Sequence, residues 1–513
     1  MSLHQRRLKG GAVAGSENKN QRKYPKVYQS AKLLHRALFH LLLSRCVLIV
    51  VQFAGNFFIP DLPTDAFKFT GLERANLTSL DRSLGRFLEG LIRWDSVHFQ
   101  NIALNGYIFE NTLAFYPLFP GILSKLGEFT SWFLPIHQST GVVFSGVFFN
   151  NVIFVATGLI LFDFVKRVYG SEARAFWASF LYAWNPASIF FSSLYTESLY
   201  AFLTFTGLWI LYGFGFQRLR ILSALISFCF LLLSCGLRSN GLANFGYLAF
   251  FLLFTGNRNL FLEFKRSFGH IFKILKRLLF NGFILLVLLG ITVCATTLVG
   301  NEVARRFCET KNPHSPEAIA FAEEHDYVLQ GNVGELEWCG RIDDFKPSLF
   351  PPFYGHIQKK YWSVEFLGYW KLRKLPCFLL AAPVVLIYVL VSTKGFEGRL
   401  RASSSLWRGL LNVVFSTDPF LPMFAHNTIM VLAGLTIFNV EILTRMLFSA
   451  SPLLYVGLAE IVSNYLKSKA SDWTELNWRS WRRSGRLMAL LYAYFAVYFV
   501  GGTVLHSNWG PFT

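Results

Sequence analysis

Long apolar runs recur along this chain, and they limit its fold more than any other feature. Each covers about 17–25 residues, the length that an α-helix needs to cross the hydrocarbon core of a bilayer. Because lipid offers no partners for backbone N–H and C=O groups, a spanning segment must be a helix or part of a closed barrel. Only 15% of the 513 residues are charged, against about 25% in soluble proteins. The sequence therefore predicts an all-α polytopic membrane protein.

Hydropathy predicts about eleven transmembrane helices. They lie near residues 37–59, 140–165, 174–191, 198–216, 221–236, 242–256, 278–299, 376–392, 424–440, 450–466 and 487–505. Residues 1–36 are polar and basic, which predicts a disordered cytosolic tail, and residues 37–513 then form one multi-span domain. The basic amphipathic stretch 257–277 is predicted to lie on the membrane surface.

Short basic loops predict the orientation in the membrane. With a cytosolic N-terminus and an odd number of spans, the segments rich in Lys and Arg all fall on the cytosolic side, as the positive-inside rule requires. These segments lie near 166–170, 217–220, 257–277, 393–408 and 467–486. Two long polar loops, about 60–138 and about 301–375, then face the opposite compartment, a lumen. Because such loops account for the net charge of +19, we predict no binding to nucleic acid.

Two features of the long loops suit a lumen. Asn76-Leu77-Thr78 is an N-glycosylation sequon in the first loop. Cys308 and Cys339 in the second loop can pair in an oxidising compartment, and a bridge would contribute about 3–4 kcal/mol, with two free thiols as the alternative. The remaining cysteines lie in or beside spans as small packing residues. No CxxC pair or histidine cluster in the sequence indicates a metal site.

The first long loop contains the stretch "RWDSVHFQNIALNGY", in which apolar residues recur at helical spacing. We predict a short amphipathic helix along the membrane surface, ended by Asn105-Gly106, with its apolar face in the lipid boundary. Asp95, His98 and Asn101 would point away from that face. A carboxylate at this boundary suits a general base that accepts the proton of an attacking sugar hydroxyl on a lipid-anchored substrate. The alternative is that Asp95 only caps or solvates a surface helix.

Five motifs, in order, resemble one known family. They are "RWDSVHFQNIALNGYIFENTLAFYPLFP" (93–120), "NPASIFFSSLYTESLYAFLTF" (185–205), "GLRSNG" (236–241), "QKKYWSVEFLGYWKLRKLPCFLLAAP" (358–383) and "NVEILTRMLFSASPLLYV" (439–456). This series is similar to the PIG-V family, the second mannosyltransferases of glycosylphosphatidylinositol (GPI) anchor assembly. The resemblance runs from about residue 40 to the C-terminus. Glu365, Cys377 and Glu441 depart from the family pattern of Gly, Asn and Gln.

The resemblance implies a GT-C glycosyltransferase of the endoplasmic reticulum membrane, with its active site in the lumen. Its substrates would be dolichol-phosphate-mannose and a mannosyl-glucosaminyl-phosphatidylinositol precursor, joined through an α1,6 bond with inversion. A phosphate leaves without protonation, so one base suffices and no second carboxylic acid is required. No cofactor or metal is expected, since a single phosphate diester does not need a bridging cation. A small accessory membrane subunit is left open.

The resemblance also assigns roles within the charged motifs. Asp95 matches the acidic residue of the first loop that GT-C enzymes use as base, with Glu110 as a weaker competitor. Glu197 either favours a helix dipole or bonds sugar hydroxyls. Arg238 and Arg445 either bind the dolichyl phosphate or pair internally with Asp95 or Glu197.

Other polar and aromatic positions have two interpretations. His98 either orients Asp95 or contacts sugar, or is a half-buried interfacial histidine. Tyr361 and Trp362 either stack on sugar or belong to an aromatic belt. Further substrate-binding candidates come from the matched motifs, namely Arg93, Trp94, Tyr195 and Asn240.

Three other functions compete with this prediction. A lipid or solute transporter is the main alternative from another class, but the two halves show no repeated hydropathy pattern such as many transporters have. A non-catalytic scaffold would not depend on Asp95. Another GT-C transferase that uses a dolichol-phosphate sugar is the nearest competitor among enzymes.

Overall fold

A computed structural model describes residues 26–69, 77–214, 219–255, 268–309, 314–331, 334, 336–341, 347–351, 353–401, 403–468 and 485–512. In these ranges the protein is almost entirely helical, and its only β-type pairing is an isolated antiparallel bridge between Phe109 and Leu329. The sequon at Asn76 and most of the predicted cytosolic tail lie outside the described residues. The remainder of that tail is helical from Lys26 onward, so the prediction of disorder up to residue 36 is wrong there.

Eighteen α-helices occur in the described ranges. They are α1 (Lys26–Phe58), α2 (Ser79–Leu88), α3 (Asp95–Asn105), α4 (Leu118–Phe133), α5 (Gln138–Tyr169), α6 (Glu172–Ala183), α7 (Glu197–Leu208), α8 (Arg220–Cys235), α9 (Phe245–Leu253), α10 (Phe268–Glu309), α11 (Pro316–His325), α12 (Tyr354–Trp362), α13 (Leu375–Arg401), α14 (Leu406–Val414), α15 (Phe420–Thr436), α16 (Leu443–Ala450), α17 (Leu453–Ser468) and α18 (Arg486–Ser507).

Every predicted transmembrane run overlaps one of these helices, but the count of eleven spans is not confirmed. Within the described ranges, five helical segments are long and apolar enough to cross a membrane alone. They are Ser30–Phe58, Gln138–Tyr169, Phe272–Glu309, Leu372–Arg401 and Arg486–Ser507. A sixth arises if α16 and α17 act as one span bent by 73°. Of the stretch 257–277 that was predicted to lie on the membrane surface, residues 257–267 lie outside the described residues. From Phe268 onward the chain belongs to α10, so the prediction is wrong there.

The bundle is centred on α5, α6 and α7, against which α1, α4, α16 and α17 pack. Glycines allow the closest of these approaches. A Cβ on Gly127 of α4 would lie 2.4 Å from Cγ2 of Val142, and one on Gly141 of α5 would lie 2.8 Å from the Gly127 carbonyl oxygen. Small residues at such crossings let helix backbones approach closely, which increases the van der Waals contact between helices in a membrane. A side chain at either glycine would push α4 away from α5.

A buried arginine organises the break between α6 and α7. Arg45 of α1 is 5% exposed and lies 3.8 Å above the ring of Phe154. Its guanidinium donates hydrogen bonds to the hydroxyls of Ser188 and Ser192 and to the carbonyl of Ala183. These bonds satisfy a charged group that would otherwise be costly inside the bilayer. They also fix the turn that leads into α7 and so place its first residue, Glu197.

The two long loops pack against each other. Around the Phe109–Leu329 bridge, the N–H of Glu110 donates to the carbonyl of Val328 and the N–H of Gln330 donates to that of Ile108, both at 2.9 Å. Since the loops are in contact, both lie on the same side of the membrane. The predicted disulfide is confirmed: Cys308 at the end of α10 is bonded to Cys339.

Helix α3 was predicted to lie on the lipid surface, and this is wrong. It begins and ends as expected, but every residue from Ser96 to Ala103 is buried. His98 and Asn101, which were expected to point away from the bilayer, are 7% and 0% exposed. The protein itself covers both faces of the helix, because the second long loop and the bundle enclose it. Asp95 is therefore held by protein packing instead of by the lipid boundary.

Candidate active site

A polar cavity of about 290 Å³ lies where the first loop, the second loop and the bundle meet. Six residues chosen from the sequence line it: Trp94, Asp95, Arg238, Asn240, Trp362 and Arg445. They come from four separate parts of the chain, namely the start of α3, the segment after α8, the end of α12 and α16. The fold thus brings residues of four of the five motifs together, and three of these motifs contribute a charged residue.

Asp95 is held at the cavity wall by its backbone and by an ion pair. It is the first residue of α3, and its N–H donates to the hydroxyl of Tyr195 at 3.3 Å. Its Oδ2 lies 2.7 Å from Nη2 of Arg445, and its side chain is 28% exposed. Burial alone would raise the pKa of Asp95, but the charge and hydrogen bond of Arg445 outweigh burial and keep the pKa below its usual value. Asp95 is therefore an anion at neutral pH.

Behind Asp95 the charges continue as an alternating chain, which we call the charge network: Asp95, Arg445, Glu197 and Arg238. Arg445 also reaches Oε1 of Glu197, at 3.4 Å, and the same oxygen accepts a short hydrogen bond from Arg238. Glu197, at the start of α7, is fully buried, while Arg445 is 8% exposed and Arg238 is 16% exposed. Two carboxylates and two guanidinium groups balance, as a buried ionic cluster requires.

The remainder of the wall contains residues that were not among the predicted site residues. Tyr354 and Gln358 of α12 line the cavity, and the Tyr354 hydroxyl donates to the hydroxyl of Ser239 at 2.9 Å. Asn439 and Glu441 line the side next to α16. These residues have the polar groups that bind sugar hydroxyls, but nothing in their spacing separated them from other polar residues of the loops.

Glu441 carried one usable signal, because it departs from the family pattern together with Cys377. In the structure the Cys377 thiol lies 3.1 Å from Oε1 of Glu441. The hydroxyl of Tyr369 and the ammonium group of Lys374 bind the same oxygen. The two unusual residues are therefore neighbours, and the added negative charge of Glu441 is matched by Lys374.

Five of the sequence candidates do not line the cavity. Tyr195 and Glu197 lie directly behind it. Arg93 points away from the cavity and pairs with Asp61 at 3.1 Å and Glu89 at 3.5 Å.

His98 is stacked between Phe67 and Phe115, with ring centroids 4.3 and 4.5 Å away. Burial lowers the pKa of His98 to about 4, although the charge of Asp95 opposes this, so the ring is neutral at pH 7.

The fifth candidate, Tyr361, belongs to a second buried centre around Glu110. The Tyr361 hydroxyl and the Lys360 ammonium group each donate to Oε2 of Glu110 at 2.7 Å, and Nε1 of Trp338 donates to Oε1 at 3.2 Å. Glu110 is fully buried and does not line the cavity. It therefore joins the first loop to the second, and the structure gives it no access to a substrate in this cavity.

An apolar groove of about 400 Å³ adjoins the polar cavity. One wall comes from α8 and the other from α10, with Leu232, Leu233 and Val299 among the lining residues. Phe115 and Tyr116 line both spaces, so a molecule with a polar head and an apolar tail could occupy the two together. Among the residues that the structure describes, no group of three or more His, Cys, Asp or Glu side chains is arranged to hold a metal ion.

Residues 35–513 match the family described as "Mannosyltransferase (PIG-V)". The chain belongs to the PIG-V mannosyltransferase family. It is thus a glycosyltransferase and a multi-pass membrane protein, and the transporter and scaffold alternatives no longer apply.

Relatives within the PIG-V family cover nearly the whole chain. GPI mannosyltransferase 2 of Drosophila pseudoobscura pseudoobscura is 30% identical over 92% of this chain and 98% of its own length. GPI mannosyltransferase pigv-1 of Caenorhabditis elegans is 28% identical over 97% of this chain and 84% of its own. GPI alpha-1,6-mannosyltransferase 2 of Homo sapiens is 27% identical over 91% of this chain and 96% of its own.

One solved structure with a similar course of the chain is the Archaeoglobus fulgidus oligosaccharyltransferase tethered with an acceptor peptide. It aligns with 94% of this chain at 13% identity and a TM-score of 0.44, and this chain spans 55% of its length. That likeness is too weak to add to the PIG-V assignment.

Proposed function

We propose that this PIG-V family member transfers the second mannose of the GPI anchor precursor. The donor is dolichol-phosphate-mannose, the acceptor is mannosyl-glucosaminyl-phosphatidylinositol, and the new bond is α1,6. Relatives named GPI mannosyltransferase 2 and GPI alpha-1,6-mannosyltransferase 2 support the choice of acceptor and linkage. The observation that carries the proposal is the position of Asp95: an anionic carboxylate at the wall of a polar cavity, next to two arginines and an apolar groove.

Asp95 acts as the general base. The acceptor hydroxyl donates its proton to the carboxylate while its oxygen attacks the anomeric carbon of the donor mannose. A new C–O bond forms on one face of the sugar as the bond to the phosphate oxygen breaks on the other. A β-linked donor therefore gives an α-linked product in one displacement. The proton ends on Asp95, and the electron pair leaves with dolichyl phosphate.

Arg238 and Arg445 receive the leaving phosphate. Both line the cavity, and guanidinium groups bind phosphate oxygens in a bidentate manner. Arg445 also connects leaving group and base, because it pairs with Asp95 at 2.7 Å. A donor phosphate that draws Arg445 toward itself weakens this pair and removes the charge that lowers the pKa of Asp95. Binding of the donor therefore makes Asp95 a better proton acceptor at the moment when it is needed.

The apolar groove holds part of the dolichyl chain. Its walls, from α8 and α10, consist largely of aliphatic and aromatic side chains, and it opens into the polar cavity at Phe115 and Tyr116. An isoprenoid chain in the groove would place its phosphate near Arg238. Moving apolar surface from water into such a groove contributes about 25 cal/mol of binding free energy per Å². A dolichyl chain that enters from the bilayer gains less, because it was already out of water.

The active site faces the lumen of the endoplasmic reticulum, with the N-terminus in the cytosol. The Cys308–Cys339 bridge supports this orientation, because disulfides persist in oxidising compartments. The basic loops on the other side of the spans support it independently. We further infer that the reaction needs no metal ion, since the donor carries a single phosphate diester and no diphosphate for a cation to bridge. Transfer that continues in excess chelator would support this inference.

The experiment that tests the proposal uses cells that lack their own second GPI mannosyltransferase. Such cells should accumulate a GPI precursor with one mannose, and the wild-type chain should convert it to a precursor with two. Asp95→Asn should lower the rate of conversion by about 10²–10⁴-fold, the usual contribution of a general base. Asp65→Asn is the matched control, because Asp65 is an exposed aspartate in the same loop.

Three results would overturn parts of the proposal. Normal transfer by Asp95→Asn at equal protein level would remove Asp95 as the base. A stalled precursor with a different number of mannoses would change the step. Protease cleavage of the first loop from the cytosolic side of sealed microsomes would remove the luminal site.

A further inference from the structure

The segment His506–Phe512, which follows the main part of the last helix, packs directly behind the motif that contains Asp95. Its residues are almost all buried, although they lie more than four hundred positions from that motif in sequence. The N–H of Leu62 donates to the carbonyl of Asn508 at 3.0 Å, and the Asn56 side chain donates to the carbonyl of Ser507 at 3.0 Å. The segment is thus fixed to the end of α1 and the loop that follows it.

Trp509 makes the contact that matters for the site. Its ring meets the ring of Trp94 edge to face, with centroids 5.6 Å apart. The charged groups of Lys68 and Arg93 lie 5.2 and 5.3 Å from its ring centroid, within cation–π range. Trp509 is 8% exposed and belongs to a small apolar cluster that also contains Val97 of α3. It therefore contacts the two residues that precede Asp95, Arg93 and Trp94.

The backbone at this contact is strained. Trp94 has φ 55° and ψ −124°, and Trp509 has φ 59°. Positive φ is unfavourable for bulky residues, and such conformations persist only where the surrounding structure enforces them. The conformation of Trp94 determines where the next residue points, because it sets the direction in which α3 begins. The two strained tryptophans hold each other through their rings.

The segment also reaches Asp95 through a second set of contacts, which begins at His506. Its ring contacts the ring of Tyr195, with centroids 5.6 Å apart, and Phe512 stacks on Phe190 at 5.4 Å. The Tyr195 hydroxyl in turn accepts the hydrogen bond from the N–H of Asp95. The segment therefore supports Asp95 from two sides, through Trp94 and through Tyr195.

From this geometry we infer that Trp509 is a positioning residue for the base. It keeps Trp94 in its strained conformation and thereby directs the carboxylate of Asp95 into the cavity and onto Arg445. It touches neither substrate. The inference rests on the proposed role of Asp95 as general base.

The test compares Trp509→Ala and Trp509→Phe with the wild-type chain in microsomes supplied with both substrates. For Trp509→Ala we expect kcat to fall by about 10–100-fold, as a misplacement of about 1 Å does, with both KM values unchanged. Trp509→Phe keeps a ring against Trp94 and should recover most of kcat. The matched control is Trp132→Ala, since Trp132 is a 78% exposed tryptophan at the end of α4.

Two further measurements separate positioning from loss of folded protein. If Asp95 moves away from Arg445, the acid limb of the kcat/KM profile, which reports the free enzyme, should move to higher pH in Trp509→Ala; a smaller amount of intact enzyme would not cause this shift. In an Asp95→Asn background, Trp509→Ala should have no additional effect on the residual rate. If Trp509→Ala does not accumulate, Trp509→Leu, which retains apolar volume without a ring, takes its place.

The outcomes distinguish this inference from the proposed function. An unchanged kcat, or a fall in kcat with an unmoved acid limb, would overturn the role of Trp509 and leave that of Asp95 intact. Full activity of Asp95→Asn would instead overturn the general base and with it the inference.

Discussion

The charge network allows a prediction in which a second substitution recovers stability but not catalysis. Arg445 lies between Asp95 and Glu197, at 2.7 and 3.4 Å, and is 8% exposed. Arg445→Gln removes one of its two positive charges and leaves two carboxylates with Arg238 alone. Breaking a buried ion pair in this way costs about 3–5 kcal/mol, because an uncompensated charge remains in the interior. Glu197→Gln should cost a similar amount by leaving two guanidinium groups with one carboxylate.

The double variant Arg445→Gln/Glu197→Gln restores the balance, because Asp95 and Arg238 remain as one anion and one cation. Its loss of stability should be smaller than the sum of the single losses by at least about 2 kcal/mol, within the range observed for coupled neighbours. Catalysis should not recover, since the group that pairs with Asp95 and that we propose to receive the phosphate is still missing. We expect mannose transfer to be about 10²–10³-fold below wild type in Arg445→Gln and in the double variant.

The assay pairs unfolding in mixed detergent micelles with transfer in microsomes, for the wild-type chain and the three variants. A control cycle on Arg306 and Glu302, an exposed pair in α10 at 2.7 Å, should show a coupling of only about 0.2–1 kcal/mol. Additive stabilities for Arg445 and Glu197, within about 0.5 kcal/mol, would refute the reasoning from charge balance. Recovery of transfer in the double variant would refute the role of Arg445 in catalysis.

Other predictions concern pH, the disulfide and the contact between the loops. Because Arg445 holds the pKa of Asp95 below its usual value in the free enzyme, the kcat/KM profile should show no step between pH 5 and 8. The pKa of His98 is lowered to about 4 in the folded state, so protonation favours the unfolded chain. The stability that neutral His98 contributes should be complete above pH 6.5 and decline as the pH falls toward 4. Unfolding measured at a series of pH values tests this. Cys308→Ser should lower the free energy of unfolding by about 3–4 kcal/mol, because the bridge closes a sequence separation of 31 residues. Cys308→Ser/Cys339→Ser should lower it by the same amount. A larger loss in the double variant would argue against the bridge as the cause. Glu110→Ala should lower the free energy of unfolding by about 1–3 kcal/mol and raise KM by moving α12. Glu110→Gln should have a smaller effect on both. Equal kinetics for Glu110→Ala and the wild type would contradict this link between the loops.

The positions of the helices could be predicted because they depend on local composition. Each apolar run in the sequence overlaps a helix. Hydropathy identifies the apolar part of a helix but not its ends, and α1 therefore begins before residue 37. The setting of α3 could not be predicted in the same way. Its mixed apolar and polar pattern is typical of a surface helix, and only the packing of a loop some two hundred residues further along the chain turns both of its faces into interior.

The charged residues of the site could be predicted for a related reason. A charge beside an apolar segment is costly, so Arg238 and Arg445 stood out in the sequence. Pairing of these arginines with Asp95 or Glu197 was one of two interpretations. The sequence could not decide which carboxylate each arginine contacts, because Arg445 and Glu197 are separated by 248 residues and nothing local links them. Tyr354 and Gln358 were missed since polar residues of a loop carry no signal until the fold points them into a cavity.

The environment of Arg45 has a consequence for how the chain is made. This arginine sits in the first span, while the hydroxyls that accept its hydrogen bonds belong to residues 143 and 147 positions later. When α1 leaves the ribosome, those residues have not yet been synthesised, so the guanidinium group has no protein partner in the bilayer. We therefore expect newly made α1 to stay in the translocon, or beside an insertion chaperone, until the turn that follows α6 has been made and can accept these hydrogen bonds.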